Sequence, residues 1–519
     1  MLGIWILGFW LGGCGNPIKQ FNPDAPTVNS TSPADKATGV ALFAEVVAAF
    51  NKSMAPSTIT NSTFTLSSAD GPVTGTVTYD ASNQTATFIP SVLLTMNTKY
   101  TAIISDSVKS SKGIKMEIAY SWSFTTSANG VGSAAGILDK SFGENGMIAY
   151  EGGYATAITT YPSGMILVLG AASYGRAMTI WRFTTHGSPD ATFNGNGVLV
   201  DNRGQIAADN QWIGQVIAID PGKNILATSI GGLFRYNSSG QADITFGTDN
   251  DGRVVLKNGG AGNAICIDSD NRILVAGGSG NNLMIWRYNS DGQIDETFGD
   301  QGVVLFGQAL GQSINTDASG RILVTGTTFN SSGDWEGMRI WRLKTDGTLD
   351  KTASYNASTK SKGNTIIPDS TGGIIVIGDN FPGGEARLAI WRYDSALNLD
   401  TTFGTDGVIN IQMNPGIGAG EPENDLGTID QFGKILVTGV TGNFSILPPQ
   451  LNVGLGIWRY DADGTPDSTF GTDGKVSRLT SENFAGSGRA IAVDHLGRIV
   501  VVGKGGESSG NLPTVWRYK

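Results

Sequence analysis

The sequence predicts an all-β protein built from an N-terminal β-sandwich and a seven-bladed β-propeller. The 73 glycines, set among many β-branched residues, are typical of short strands joined by tight turns. A tetrapeptide, IWRY or a close variant, occurs seven times between Ile180 and Tyr518. Each of these repeats holds four short apolar segments, and four strands in roughly 40 to 60 residues are typical of a propeller blade.

The bulk composition excludes several classes of function. A chain of 519 residues is too long for one ordinary domain, so we expect at least two. Its formal net charge is -10 and it has no basic run, whereas a nucleic-acid surface needs a basic stripe. We therefore expect no nucleic-acid partner. Cys14 and Cys266 lie in unrelated contexts and predict no disulfide framework, and Cys266 is expected to be a buried free thiol.

The N-terminal segment reads LGIWILGFWLGG from residue 2 to residue 13 and ends at Cys14. It is too short to cross a bilayer and has the length of the apolar part of a secretory signal. Leu11 to Cys14, LGGC, resembles the lipobox of bacterial lipoproteins. This resemblance implies a signal peptide over 1–14, export, and a lipid on Cys14 that anchors the protein in a membrane. No lysine or arginine precedes the apolar run, so a simple cleaved signal or a buried segment is the alternative.

Residues 25–127 alternate between apolar and polar side chains in about seven short runs, which is typical of a β-sandwich. The stretches STSPADKATGVALFAEVVAAFNKSM, TATFIPSVLLTMNTKYTAII and YSWSFTT resemble a bacterial Ig-like domain of the kind found in S-layer proteins. That resemblance implies a spacer or an adhesive module. The small residues over 128–137 predict a linker.

Residues 138–519 contain the repeats, at about 55 residues for each unit. In the fourth unit the strand candidates are 302–306, 313–317, 321–325 and 338–343. The units share three sequence motifs, LDxSFGxxGxV, AIxxDxxGRILVxG and IWRYxxDGxxD. These motifs resemble the delta-60 repeats of bacterial secreted proteins. Most members of that family have no characterised function. In each tetrapeptide the Trp and Tyr face one way and the Ile and Arg face the other, so we expect the aromatic rings to fill the space between blades.

An aspartate follows the arginine of each tetrapeptide by eight residues in six units, although the units differ in length. A buried arginine needs a partner, so we predict a structural ion pair in each unit, bidentate where geometry allows. The alternative is a ring of arginines that lines the central channel and binds an anion. The pairs are Arg182 with Asp190, Arg235 with Asp243, Arg287 with Asp295, Arg342 with Asp350, Arg392 with Asp400, and Arg459 with Asp467.

Arg517 has no acid after it, and Asp139 has no arginine before it. We therefore predict that these two residues form the seventh pair. The strand near 146–150 would then join the C-terminal blade and close the ring.

The sequence gives little support for catalysis or for a metal. Its two histidines, His186 and His495, lie in turns of different motifs, and no cluster of His and Cys has the spacing of a zinc site. The run Asp461 to Asp467, DADGTPD, has some features of a calcium loop, but turn formation by Asp-Gly explains it better. We expect no cofactor and no metal. Carboxylates that meet across the channel are the remaining route to an active site.

Two connections in each unit keep a nearly constant length, and the other two vary widely. Variable loops on a rigid scaffold are where recognition usually occurs, so we predict a binding face there. The alternative is that each aromatic side chain packs onto its own blade. The aromatic residues of these loops are Trp212, Phe329, Trp335, Phe381, Phe444 and Phe484.

Together these patterns favour a monomeric, lipid-anchored binding or adhesion protein of a bacterial cell envelope, at the outer membrane or the cell surface. Its partners would be the membrane, through Cys14, and an unknown protein or glycan. A propeller hydrolase or lyase that uses channel carboxylates is one alternative. A structural envelope component is the other.

Overall fold

A computed structural model describes most of the chain. The described residues are 22–40, 42, 44–127, 135–150, 153–172, 177–203, 215–229, 232–355, 360–384, 387–412, 426–446, 449–479, 487–505 and 512–519. They divide into two compact units, Met1–Asn129 and Gly130–Lys519. Besides strands, the described residues form two short 3-10 helices, Pro56–Thr58 and Pro382–Gly384. Neither helix has the length or the apolar character needed to span a membrane.

The first unit is a β-sandwich of two sheets. Its strands alternate, as predicted, between side chains that face the core and side chains that face solvent; in the strand Lys99–Ile104, for example, Tyr100, Ala102 and Ile104 are buried. Phe64, Phe88 and Trp122 form the centre of this core. In spatial order, one sheet consists of β1 (Val28–Ser32), β3 (Val46–Phe50), β7 (Thr85–Pro90) and β6 (Gly75–Asp80), and the other of β2 (Ala37–Val40), β9 (Tyr120–Thr126), β8 (Lys99–Ile104), β4 (Phe64–Ser68) and β5 (Gly71–Pro72).

The second unit contains seven four-stranded antiparallel sheets, which are the blades of a propeller. The strands of each blade are given from the innermost outwards. Blade 1 consists of β11 (Tyr154–Thr160), β12 (Ile166–Ala172), β13 (Ala177–Phe183) and β14 (Val198–Asp201), and blade 2 of β15 (Ile217–Ile219), β16 (Ile225–Ser229), β17 (Gly232–Tyr236) and β18 (Arg253–Val254). Blade 3 consists of β19 (Ala261–Ile267), β20 (Ile273–Ser279), β21 (Asn282–Tyr288) and β22 (Val303–Gly307), and blade 4 of β23 (Ala309–Thr316), β24 (Ile322–Phe329), β25 (Trp335–Leu343) and β26 (Leu349–Ser354).

Blades 5 to 7 follow the same plan, except that the last strand of blade 7 comes from the start of the unit. Blade 5 consists of β27 (Ser361–Pro368), β28 (Ile374–Asn380), β29 (Arg387–Tyr393) and β30 (Val408–Gln412), and blade 6 of β31 (Gly427–Ile429), β32 (Ile435–Ile446), β33 (Pro449–Tyr460) and β34 (Lys475–Leu479). Blade 7 consists of β35 (Ser487–Val493), β36 (Ile499–Lys504), β37 (Pro513–Tyr518) and β10 (Met147–Ala149). The innermost strand of each blade contacts the innermost strand of the next, and β35 contacts β11, so the ring is closed. The fold class predicted from the sequence is confirmed.

The blades are offset by one strand from the sequence units. The candidate 302–306, taken as the first strand of the fourth unit, corresponds to β22 and is the outermost strand of blade 3. Blade 4 instead begins at β23 and ends with β26. A repeated sequence has no unique starting point, so the repeat motif alone could not decide which strand is the innermost strand of each blade.

The same offset places β10 on the C-terminal blade. Met147 lies opposite Trp516, and Leu138 forms a further bridge to Tyr518. The end of the predicted linker is also part of this blade, because Ala135 is buried between blades 6 and 7 and Gly136 N–H donates to the carbonyl of Lys519. The linker over 128–137 is therefore shorter than we predicted at its C-terminal end.

The described residues of the propeller form seven hydrophobic clusters, and each is shared by two adjacent blades. In blade 3, Trp286 and Tyr288 pack against Leu226 and Leu233 of blade 2. Ile285, on the opposite face of the same strand, packs with Trp341 of blade 4. The tetrapeptide recurs because every blade must supply one aromatic face and one aliphatic face to its two neighbours.

Removal of residues 138–150 should sharply lower the free energy of unfolding of the propeller, because blade 7 loses its outermost strand. The measurement is a urea unfolding curve of the full chain, followed by tryptophan fluorescence. As a control, residues 413–425 would be replaced by a short glycine-serine linker between β30 and β31. Equal midpoints for the two variants would contradict the role of β10 in closing the ring.

Candidate binding face and its supporting ion pairs

The strands of each blade are antiparallel, so their connections alternate between the two ends of the propeller. We call one end the turn face; it carries the inner turn, between the first and second strands of a blade, and the outer turn, between the third and fourth. The other end, the loop face, carries the connections that vary in length.

The structure brings each tetrapeptide arginine against its aspartate on the turn face. Arg392 and Asp400 are in direct contact. In the other six pairs, Nε of the arginine lies 2.6–2.9 Å from Oδ2 of the aspartate. These pairs are Arg182–Asp190, Arg235–Asp243, Arg287–Asp295, Arg342–Asp350, Arg459–Asp467 and Arg517–Asp139.

The pair in blade 3 shows why these contacts are not bidentate. Oδ1 of Asp295 accepts the backbone N–H of Thr297 at 3.1 Å and its hydroxyl at 2.6 Å, so Oδ2 alone is left for Arg287. The guanidinium carbon of Arg287 also lies 4.6 Å from the centre of the Phe298 ring, within cation–π distance. The motif D-x-x-F thus supplies both the anion and the ring that hold the arginine in five blades, whereas after Asp350 an alanine, Ala353, stands in place of the phenylalanine.

The arginines also connect neighbouring blades. Nη1 of Arg342 in blade 4 donates to the carbonyl of Ser395 in blade 5 at 2.6 Å. Equivalent bonds join Arg182 to Ser238, Arg235 to Ser290, Arg287 to Thr345, and Arg517 to Thr185. These arginines lie on the third strand of each blade, two strands out from the channel, so a channel lined by them is excluded.

The closing pair is the most deeply buried of the seven. Asp139 and Arg517 are each 1% exposed, and Arg498 lies 3.9 Å from the same carboxylate. Burial opposes ionisation of Asp139, but Arg517, Ser141 and Lys519 together hold its pKa below the ordinary value. Burial and the nearby Arg498 lower the pKa of Arg517 to about 10.

Sequence reasoning missed a second set of pairs, in the inner turns. Nε of the arginine lies 2.7 Å from Oδ2 of the aspartate four residues earlier. The repeated pattern DxxGR, in which Asn271 replaces the glycine in blade 3, contained the signal, but its aspartate and arginine were not considered together as a pair. The pairs are Asp268–Arg272, Asp317–Arg321 and Asp494–Arg498.

On the loop face, aromatic residues from two blades meet. Trp335 of blade 4 and Phe381 of blade 5 have ring centres 6.4 Å apart, and Nζ of Lys362 lies 3.3 Å from the centre of the Trp335 ring. Phe329 lies opposite Trp335 in the β24–β25 ladder. All four side chains are half-buried. We call Phe329, Trp335, Lys362 and Phe381 the aromatic patch; because it spans two blades, Trp335 does not pack onto its own blade alone.

The other aromatic residues predicted for this face are not placed. Trp212 and Phe484 lie outside the described residues. Phe444 belongs to β32, but its side chain is outside the description.

A buried acid lies next to the aromatic patch. Asp379 is 5% exposed, lies opposite Lys362 in the β27–β28 ladder, and accepts a hydrogen bond from Asn364 Nδ2 at 3.2 Å. Burial raises the pKa of Asp379, against the smaller opposing effects of Asn364 and Lys362. The positions that correspond to it by register are Gly278 in blade 3 and Thr327 in blade 4, so this acid is particular to blade 5.

Polar residues also surround the mouth of the channel. Near the loop face, five innermost strands each contain a β-bulge, and the extra residue is polar in every case. Nδ2 of Asn263 donates to the carbonyl of Gly311 at 2.8 Å and reaches Gln312 Oε1 at 3.4 Å, across a blade boundary. The signal in the sequence is one polar residue after a glycine in four of these strands and after Ala155 in the fifth. The bulge residues are Thr156, Asn263, Gln312, Asn364 and Arg489.

The remaining candidates for chemistry lie elsewhere. His186 and His495 are on the turn face, away from the aromatic patch. Within the described residues, no group of three His, Cys, Asp or Glu side chains is placed to hold a metal ion. Lys434 contacts both Asp461 and Asp467, so an ammonium occupies the turn that had features of a calcium loop. Burial raises the pKa of the half-buried Cys266 to about 11, so its thiol is protonated at neutral pH.

Comparisons with known proteins agree with this architecture. Residues 22–126 match the bacterial Ig-like domain. Four segments, 162–193, 269–298, 318–352 and 433–470, match a beta-propeller domain of unknown function, DUF5122. The chain carries both domains. A bacterial Ig-like domain indicates an extracellular or surface protein, and the two domains together fit a binding or structural role there. No curated protein matches the sequence.

Several solved structures are similar to this chain at low sequence identity. A protein of unknown function from Bacteroides caccae is 12% identical, with a TM-score of 0.36, over 62% of this chain and 95% of that one. A gluconolactonase from Xanthomonas campestris is 11% identical, with a TM-score of 0.34, over 74% and 94%. A quinonprotein alcohol dehydrogenase-like protein from Bacteroides thetaiotaomicron is 13% identical, with a TM-score of 0.34, over 88% and 98%. None of these similarities is close enough to assign a function.

Asp139→Asn should lower the free energy of unfolding by about 3–5 kcal/mol, because it leaves the buried Arg517 without its counter-charge. The matched control is Asp350→Asn: Arg342 is also buried, but the carboxylate that it loses is exposed to solvent, so water can take its place and the loss of stability should be clearly smaller than for Asp139→Asn. Urea unfolding at pH 7 measures both. Similar losses from the two substitutions would mean that burial of the closing pair has no special weight.

Asp379→Asn should stabilise the protein at pH 7. The folded-state pKa of Asp379 is raised, so its carboxylate opposes folding above the ordinary aspartate pKa and has no effect once the group is protonated in both states. The gain should therefore shrink as the pH falls and vanish below about pH 3. Unfolding midpoints measured from pH 3 to pH 8 test this; a gain that stays constant over that range would contradict the raised pKa.

Proposed function

We propose that the protein is an extracytoplasmic binding or adhesion protein whose ligand contacts the loop face at the aromatic patch. The observation that carries this proposal is the meeting of Trp335, Phe381 and Lys362 from two blades. Large rings held half-exposed by a rigid scaffold are typical anchors for a ligand, since they offer much contact area at little cost in conformational entropy.

The chemistry of the patch favours a glycan or a protein segment with an apolar surface. The two rings are tilted by 57°, so they form a shallow, angled surface on which a flat apolar group can stack. Lys362 and the buried Asp379 lie at its border, together with Asn364. These groups can orient the polar substituents of the ligand.

Anchoring at a membrane belongs to the same proposal. The LGGC sequence at Cys14 supports a lipoprotein, exported to the outer membrane or the cell surface, in which the Ig-like domain acts as a spacer. The wording of the seven units supports their identity as delta-60 repeats. Cys14 itself lies outside the described residues.

A second candidate function is hydrolysis or elimination on a bound glycan by Asp379. The buried carboxyl favours it, because burial raises the pKa of Asp379, which is the direction that suits a proton donor. Under this proposal Asp379→Asn would bind the glycan but would not release products from it. A purely structural envelope role has no specific contact in its favour and predicts no ligand.

Trp335→Ala and Phe381→Ala should each weaken ligand binding by roughly 30- to 1000-fold, the range for loss of an aromatic anchor. The measurement is a glycan array and a pull-down from cell-envelope extract, with the full chain and each variant. Ile244→Ala is the matched control, because it removes an exposed apolar side chain from an outer turn on the opposite face. Retention of all binding by both aromatic variants would place the ligand elsewhere, and no ligand in either assay would favour the structural role.

A further inference from the structure

The inner turns of blades 3, 4 and 7 share one way of binding a guanidinium group. In blade 3, Oδ1 of Asp268 accepts the backbone N–H of Arg272, and Oδ2 accepts Nε of the same arginine at 2.7 Å. Blades 4 and 7 repeat this geometry with Asp317–Arg321 and Asp494–Arg498. The first residue of the turn is thus an aspartate with two separate roles. A backbone N–H of the turn holds one carboxylate oxygen in place, and the other oxygen is free to accept a cation.

Blade 5 shows that this carboxylate attracts a guanidinium even when the turn itself has none. Glycine replaces arginine at position 373, and Arg392 from the third strand places Nη2 at 2.7 Å from Asp369 Oδ2. A Cβ atom at position 373 would lie 2.6 Å from that same nitrogen, so the missing side chain leaves the space that Arg392 occupies. The local arginine is replaced, and the ion pair is kept.

Blade 2 keeps the aspartate but has no such cation. Asn224 stands where the arginine would be; its backbone N–H donates to Asp220 Oδ1, and its Nδ2 donates to Oδ2 at 2.9 Å. The side-chain amide of Asn224 thus makes the contact that Nε of an arginine makes in the other blades, but Asn224 has no group at the position of the remaining guanidinium atoms. No lysine or arginine of the described residues forms an ion pair with Asp220.

A cleft of about 340 Å³ opens at this point, between blades 2 and 3 on the turn face. Asp220 and Asp291 contribute carboxylates to its wall, and Asn224, Ile267 and Ile273 also line it. The remaining charged residue of the wall, Arg235, is already bound to Asp243 and to the carbonyl of Ser290. With Asp243 included, three carboxylates and one guanidinium leave a net charge of -2, which favours a cation.

We propose that this cleft is a binding site for a guanidinium group, the head group of arginine, which a ligand supplies where blades 3, 4, 5 and 7 supply their own. Asp220 accepts the guanidinium at Oδ2, and Asp291 supplies the second negative charge. Arg235 does not prevent this arrangement, because Arg272 and Arg287 already lie close enough in blade 3 for Arg272 to affect the pKa of Arg287.

The experiment titrates the full chain with ethylguanidinium chloride at fixed ionic strength, with isoleucine δ1-methyl labelling for NMR. Ile267 and Ile273 line the cleft, so their methyl resonances should shift and saturate with a Kd on the order of 10 mM, as expected for one charge-assisted contact. Ethylammonium chloride should give less than about a third of that shift, because one compact ammonium cannot match the planar fork. Equal saturation by the two cations would overturn the assignment to guanidinium.

Two variants at one position make the test specific. Asn224→Arg places the missing group on the protein itself, so the added probe should no longer shift either methyl. Asn224→Ala leaves the cleft open and should keep the response, which separates occupation of the site from mere loss of the asparagine. A chain that shows no saturable shift up to about 50 mM, or the same shift with Asn224→Arg, would overturn the proposal.

A gain of binding offers an independent check in blade 4. Arg321→Asn recreates the Asp220–Asn224 arrangement at Asp317, so ethylguanidinium should recover at least half of the stability that this substitution removes, whereas ethylammonium should not. Failure of this rescue would contradict the shared geometry. To distinguish sources, free L-arginine would be compared with N-acetyl-L-arginine methylamide: tighter binding of the blocked compound indicates an arginine of a protein partner, and tighter binding of the free compound indicates the amino acid.

Discussion

The stability of the propeller depends on neutralising the arginine charge that is buried when its blades pack together. The strand that supplies the aromatic face between blades also carries an arginine, and burial of that arginine is unfavourable unless a carboxylate accompanies it. The outer turn places an aspartate beside Nε of the arginine and a phenylalanine against the flat side of the guanidinium, and Nη1 donates a hydrogen bond to a carbonyl of the next blade. In blade 3 these three contacts are made by Asp295, Phe298 and the carbonyl of Thr345. The same side chain therefore stabilises its own turn and fixes the position of its neighbour.

Much of this arrangement could be predicted, because it depends on residues a fixed number of positions apart. The constant separation of Arg287 from Asp295 pointed to their contact, and the unpaired Arg517 and Asp139 pointed to the blade where the ring closes. The inner-turn pair of Asp268 and Arg272 was equally regular but went unrecognised, since aspartate and asparagine in a short connection between strands are explained well enough by turn formation alone. A regular spacing identifies a partner only when the partner's charge is considered.

The contacts on the loop face could not be predicted, for a different physical reason. Trp335 and Phe381 belong to different blades, and no repeated spacing relates them. Their meeting depends on the paths of two unrelated loops and on the rotation between adjacent sheets. The burial of Asp379 follows in the same way from its place beside Lys362 and Asn364, not from its neighbours in the chain. Features that distinguish one blade from the others are where a specific function arises, and they are also the features that a repeat pattern does not describe.

The placement of β10 has a consequence for how the molecule is made. A ribosome delivers the amino end first, and β10 lies near the start of the propeller, whereas its partner β37 is the last propeller strand to be made. Six blades can form as they emerge, but the seventh has to wait until β37 has been synthesised. Until then, the edge of β10 and the flank of blade 1 are exposed to other chains. A product that stops before β37 therefore remains an open arc, because the partner that β10 needs has not been made.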